Sequence, residues 1–146
     1  MATFDTKSPF DQAAFSDVTI KFGNNREIKC HKLILCNVSE YFKGMLAGKF
    51  AESERKTIEL HDDDPDAVEA MLRYIYSFEY ADTTGERASW TAVALHLNVY
   101  AVAKKYQMPT LSTKALKSAH GEVAAIDKRS FTRMTRGSRF CNSSRL

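Results

Sequence analysis

Cys30, His31, Cys36 and His61 supply soft ligands of the kind that could hold a metal ion. A structural zinc site takes four ligands, usually as two close pairs such as C-x2-C. Cys30 and His31 are adjacent, and neighbours on a strand point to opposite faces. They cannot converge on one ion, so no metal is expected. His31 reads instead as a hydrogen-bonded structural residue where a strand passes into a helix. A cysteine nucleophile needs a lowered pKa and a partner base in a partly exposed setting. Cys30 and Cys36 stand among apolar residues, as small core side chains do. The run Asp62-Asp63-Asp64-Pro65-Asp66 lacks the D-x-D-x-D-G spacing and closing Glu of a calcium loop. It fits a helix start: an Asp N-cap, Pro at the first helical position, and carboxylates at the positive end of the helix dipole. The sequence holds no glycine-rich phosphate loop, no G-x-S-x-G and no H-E-x-x-H. The reading is of a chain with no catalytic residues, not an enzyme, and no cofactor is expected.

The balance of the composition agrees. With 146 residues, 44% of them apolar, the chain has the size and composition of one globular domain. No apolar run approaches the roughly 20 residues that cross a bilayer, so no membrane partner is expected. Residues 1–11 lack the apolar core of a secretory signal, which points to the cytoplasm or nucleus. Three cysteines, Cys30, Cys36 and Cys141, make an odd count that argues against a disulfide framework. The net charge of +3 conceals two regions. From Lys114 onward eight Lys/Arg face two Asp/Glu, a net +6, while Met1 to Thr113 carries 13 against 16, a net −3. The body is mildly acidic and the tail basic.

The elements follow from periodicity. Residues 1–14 are polar and irregular and read as a flexible arm. Val18, Ile20 and Phe22 alternate with Thr19 and Lys21, the period of a half-buried strand. Gly23-Asn24-Asn25 tolerates positive φ and predicts a hairpin turn into a second strand near Arg26 to His31, with Ile28 and Cys30 inward. A helical stretch over Lys32 to Cys36 precedes Ser39, an N-cap for a helix carrying Phe42, Met45 and Leu46. Gly48 is expected to end that helix in a left-handed conformation. A third strand is predicted over Thr57 to Leu60. Val68, Met71, Leu72, Ile75 and Tyr76 give the strongest helical spacing. Trp90 to Tyr106 is apolar on two faces, one through Trp90, Val93, Ala94, Leu97 and Ala101 and one through Leu95, Val99, Val102 and Tyr106. Such a helix is expected in the middle of the core. A further helix over Thr110 to about Ile126 uses Leu111, Ala115 and Leu116, and disorder is expected from Asp127 onward.

The order of motifs carries a resemblance. Phe15-Ser16-Asp17-Val18-Thr19-Ile20 leads into Ile28-Lys29-Cys30-His31-Lys32-Leu33-Ile34-Leu35. Then come Ser39-Glu40-Tyr41-Phe42, Phe50-Ala51-Glu52-Ser53 and Ile58-Glu59-Leu60. Asp64-Pro65-Asp66-Ala67-Val68, Met71-Leu72-Arg73-Tyr74-Ile75-Tyr76 and Tyr100-Ala101-Val102-Ala103-Lys104-Lys105-Tyr106 complete the series. Over residues 15–116 it resembles a BTB/POZ domain, closest to the single-domain BTB proteins common in fungi. The resemblance implies an α+β fold, a small three-stranded sheet flanked by a cluster of helices, with residues 117–146 as a basic tail, partly helical and then disordered.

It also implies a protein–protein interaction module. Members self-associate as homodimers or larger oligomers, and many act as adaptors that dock a cullin scaffold and bring a substrate to a ubiquitin ligase complex. The family's self-interface positions match Asp17 and Lys32. The apolar-x-Glu element of cullin-binding members matches Phe50-Ala51-Glu52, which makes Phe50 and Glu52 the candidate cullin contacts. With residues 1–14 alone ahead of the first strand, exchange of an N-terminal helix and strand between subunits is not expected. The alternative function is nucleic-acid-associated regulation through the tail, where Lys128, Arg129, Arg133, Arg136, Arg139 and Arg145 stand among Phe131 and Phe140. The charges are dispersed, so nucleic acid is the weaker of the two partner classes.

Overall fold

The computed structural model describes residue 10 and residues 13–48, 54–80 and 89–140, the last five of them by backbone. β1 (Val18–Phe22) pairs antiparallel with β2 (Arg26–Cys30), placing Val18 opposite Cys30 and Ile20 opposite Ile28. β3 (Thr57–Leu60) joins β1 on the other side and runs parallel to it, with Ile20 opposite Ile58. The sheet order is β2-β1-β3. The alternation read from the sequence sets one face: Val18, Ile20, Phe22, Ile28, Cys30, Ile58 and Leu60 are all buried. In the hairpin both Gly23 and Asn25 have positive φ, +55° and +61°. Gly23 answers a second demand as well. A Cβ there would stand 2.6 Å from Cγ of Pro65, so the absent side chain lets the start of the next helix pack on the turn.

The described residues also form five helices: α1 (Lys32–Val38), α2 (Glu40–Leu46), α3 (Pro65–Ser77), α4 (Trp90–Lys105) and α5 (Pro109–Phe140). Ser39 separates α1 from α2 with extended φ and ψ, and its side chain accepts from the Phe42 N–H at 3.3 Å, as expected of an N-cap. α2 closes at Ala47 in a right-handed conformation, φ −89°, one residue before Gly48. Asp64 caps α3 by accepting from the Ala67 N–H at 2.9 Å, with Pro65 at the first helical position. Val68, Met71, Leu72 and Ile75 then enter the core at helical spacing. The core centres on Tyr106, which stacks on Phe42 at 5.6 Å between centroids and meets Tyr41 edge-on at 5.0 Å.

Two expectations about the helices differ from the structure. α4 does not bury both apolar faces. Val93, Val99, Val102 and Ala103 are buried, but Trp90 is 67% and Leu97 48% exposed, and Ala94 and Ala101 face solvent with them. α3 and α5 cover α4 from two directions and the third side faces outward. α5 does not end near Ile126 but continues through the residues expected to be disordered as far as Phe140. Its burial ends much earlier. Leu111, Ser112, Ala115 and Ala119 are buried, and no residue from His120 to Thr135 is.

Candidate interaction surface

Asp17 stands directly before β1, and its N–H donates to the Cys30 carbonyl at 3.2 Å, extending the hairpin ladder by one bond. Its Oδ1 accepts from the Lys32 N–H at 2.7 Å. Lys32 is the first residue of α1, so its N–H is one of the amides a helix leaves without an internal partner. The two positions singled out by the family pattern therefore meet at one junction, joined by the Asp17 carboxylate and the Lys32 backbone.

His31 locks that junction to α3. Its N–H donates to the Tyr76 hydroxyl at 2.9 Å. Its ring Nδ1 lies 2.9 Å from the same hydroxyl, and Nε2 lies 2.9 Å from the Ala14 carbonyl. A carbonyl only accepts, so Nε2 carries a proton, and a second hydrogen bond joins Nδ1 to the Tyr76 hydroxyl. Burial, and then the nearby Cys30, push the Tyr76 hydroxyl well above the ordinary tyrosine value. The ring of Phe10 meets Tyr76 edge-on at 5.9 Å, and the Arg73 guanidinium lies 5.4 Å over Phe10. The chain ahead of β1 is thus tied to the body at Phe10 and Ala14.

Directly after these ties one apolar side chain is turned outward. Phe15 is 97% exposed and adopts a left-handed backbone, φ +60°, which is unusual for a bulky residue. On the other flank of the junction Leu33 is 74% exposed. Sequence reasoning named Asp17 and Lys32 but missed Phe15 and Leu33. The available signal was their position next to the two named residues, since neither fits the buried alternation of the strand or the Leu35 face of α1. Phe50 and Glu52 lie outside the described residues.

The other chemistry-bearing residues are accounted for by structure. Asp63 Oδ2 accepts from the Tyr106 O–H at 2.6 Å and from Lys105 Nζ at 2.8 Å. Burial, and then this hydrogen bond, push the Tyr106 hydroxyl far up. Asp66 pairs with Arg26 at 2.8 Å, and Asp64 is the α3 cap. The acidic run is thus distributed among three separate structural contacts. Cys30 is buried, and burial pushes the half-buried Cys36 thiol up, the opposite of what activates a nucleophile. Among the described residues no group of three or more His, Cys, Asp or Glu converges to hold a metal ion. Nor is any helix among them long and apolar enough to cross a membrane. A shallow groove lined by Val38, Tyr74, Phe78, Met108 and Leu111 has no charged lining residue and fits an apolar anchor better than a reaction.

The chain resembles known proteins in sequence and in fold. Kelch-like protein 40 of Xenopus laevis is 32% identical over 107 residues, 73% of this chain and 16% of the relative. Kelch-like protein 8 of Mus musculus is 28% identical over 127 residues, 81% of this chain and 20% of the relative. The chain therefore spans about a fifth or less of the length of these curated relatives. Among solved structures, the BTB domain of zebrafish PATZ1 superposes with a TM-score of 0.53 at 20% identity, covering 70% of this chain and 74% of that one, a likeness of fold. The family model for the BTB/POZ domain matches residues 6–120, and the chain belongs to that family.

Proposed function

We propose that the protein works by association alone, as a BTB/POZ interaction module of the cytoplasm or nucleus. It pairs with a second copy through the surface around Asp17 and Lys32, and it docks a cullin-type scaffold of a ubiquitin ligase complex through Phe50 and Glu52. The observation that carries the first part is the outward pair Phe15 and Leu33 flanking the Asp17–Lys32 junction. Two large apolar side chains in water beside a rigid, hydrogen-bonded junction are the composition of an interface centre with a polar rim. The strained backbone of Phe15 is consistent with this, because positive φ in a bulky residue persists where the surroundings or function hold it. The second part rests on the family's apolar-x-Glu element.

Light scattering on the eluting protein tests self-association. A dimer that Leu33→Glu or Lys32→Glu weakens supports the reading, and a dimer indifferent to both removes it. Calorimetric titration with a cullin N-terminal domain tests docking. Heat of binding that disappears in the Phe50→Ala, Glu52→Ala variant supports an adaptor role. A folded protein that gives no heat leaves association among copies as the function.

A further inference from the structure

α4 and α5 are antiparallel neighbours joined by Tyr106, Gln107 and Met108. α4 has 16 residues and α5 has 32, so α5 overshoots the start of α4 by roughly 24 Å at 1.5 Å per residue. The overshoot is neither bare nor purely polar. Val123, Ile126, Ser130 and Met134 recur at i, i+3, i+7 and i+11, steps of three, four and four that keep to one face of the helix as a seam. Met134 is 75% exposed, and neighbouring Phe131 is 70% exposed. α4 presents a second seam of the same kind. Trp90, Ala94, Leu97 and Ala101 recur at i, i+4, i+7 and i+11, all facing solvent and none charged. Both seams are eleven residues from end to end, roughly 17 Å.

One molecule cannot close these two seams on each other. α5 reaches the body through Leu111, Ala115 and Ala119 and then runs on past the beginning of α4, away from the outer face where Leu97 lies. As a continuous helix it cannot turn back onto that face. A second copy can supply the match. We infer that two copies exchange their α5 ends, the Val123–Met134 seam of each lying along the Trp90–Ala101 seam of the other. Small residues at Ser130, Ala94 and Ala101 let the backbones approach, and Trp90, Leu97, Val123, Ile126 and Met134 supply the apolar area. The chain from Lys114 onward is net +6 and the rest net −3, so charge draws each tail toward a body, its own or another copy's. The straight helix rules out its own. The exchange is two-fold and closed, each copy giving and receiving one helix end. It rests on the reading of the protein as a self-associating module but uses a different face from the Asp17–Lys32 junction. It also draws on residues 121–140, which lie beyond the stretch matched to the family.

Trp90 is the single tryptophan, which makes the seam directly observable. The full chain is followed over a dilution series by sedimentation and by Trp90 emission. The expected result is a dimer whose formation shifts the emission to shorter wavelength and protects it from acrylamide. Leu97→Glu and Met134→Glu should each stay folded, weaken the dimer at least tenfold and leave Trp90 red-shifted and quenchable. Mixing these two variants should restore part of the dimer, because the tail of the Leu97→Glu copy still meets an intact seam on the Met134→Glu copy. A dimer that forms without any change at Trp90 overturns the exchange, as does one whose strength both substitutions leave unchanged. A dimer weakened by Lys32→Glu but not by Leu97→Glu overturns it while supporting the Asp17–Lys32 face. A chain that stays monomeric at high concentration overturns both. If that monomer binds a DNA duplex with steep salt dependence, the overshoot belongs to nucleic acid instead.

Discussion

In the sheet half of the molecule polar side chains reach across the fold. His31 bridges Tyr76 and Ala14, Asp63 receives Tyr106 and Lys105, Ser39 donates to the Tyr106 carbonyl at 2.7 Å, and Asp17 holds the start of α1. Past Ala119 the pattern changes. Thr132 and Thr135 donate to carbonyls of their own helix, and the large apolar residues Phe131 and Met134 face water. The sheet half is specified by bonds between residues 15 to 67 positions apart. The α5 end is specified by local helix continuation. Such an end is cheap to extend once the helix exists, because each added residue contributes one hydrogen bond without a new nucleation step. The contrast teaches where mutations should matter for folding and where they should matter only for association.

The largest effect should come from Tyr106, where the two halves meet. It stacks on Phe42, is fully covered, and places its hydroxyl on Asp63. Tyr106→Ala should cost about 3–5 kcal/mol by the loss of a buried aromatic ring, with Asp63 losing a donor as well. Chemical denaturation read by circular dichroism measures this. A loss below about 1 kcal/mol would show that the halves are not joined there.

Gly23→Ala should be next. It puts a Cβ into positive φ and against Pro65, so about 1–3 kcal/mol is expected from overpacking and backbone strain together. Gly121→Ala is the matched control on α5. No atom lies within 4 Å of its Cβ position, so it should be neutral or stabilising by up to about 1 kcal/mol. Equal effects at the two glycines would abolish the contrast between the regions.

A pH effect follows from the two buried hydroxyls. Tyr76 and Tyr106 both have folded pKa values raised above the ordinary 10.0, so the folded protein holds these protons more tightly than the unfolded chain. Their contribution is fully present below about pH 10 and is lost as pH rises above it, when the unfolded tyrosines ionise first. Urea midpoints should therefore fall steeply between neutral and strongly alkaline pH. Tyr76→Phe and Tyr106→Phe should each flatten the fall while lowering the neutral-pH midpoint. An unchanged slope in both variants would remove the buried hydroxyls as the cause.

The same contrast governs what was legible in the sequence. Strand alternation at Val18, Ile20 and Phe22, the Ser39 cap and the Asp64-Pro65 start were readable because each is decided within a few residues. The Asp63–Tyr106 and His31–Tyr76 bonds were not, since their partners stand 43 and 45 positions apart. Asp17 and Lys32 were reached only through the family pattern, and the hydrogen bond that joins them is a backbone contact that no side-chain type announces. The outer face of α4 was misread because its apolar row looks the same whether its own chain or another covers it. α5 was cut short because residues 127–140 hold few large apolar side chains, Phe131, Met134 and Phe140, although Lys, Arg, Met and Ala around them are good helix formers.

The smallest effect on folding, and the sharpest test of the comparison, is expected at Met134. In dilute protein Met134→Ala should change stability by no more than about 0.5 kcal/mol, since the side chain packs on nothing that unfolding would expose. At high protein concentration the outcome should differ. If copies associate through this helix end, the midpoint of the unaltered chain rises with concentration by mass action, and that of Met134→Ala rises less. Denaturation curves at two concentrations separate the cases. A cost above about 1 kcal/mol in dilute protein would mean that the α5 end is coupled to the core within one chain, and the division between a cross-tied body and a free helix end would fail.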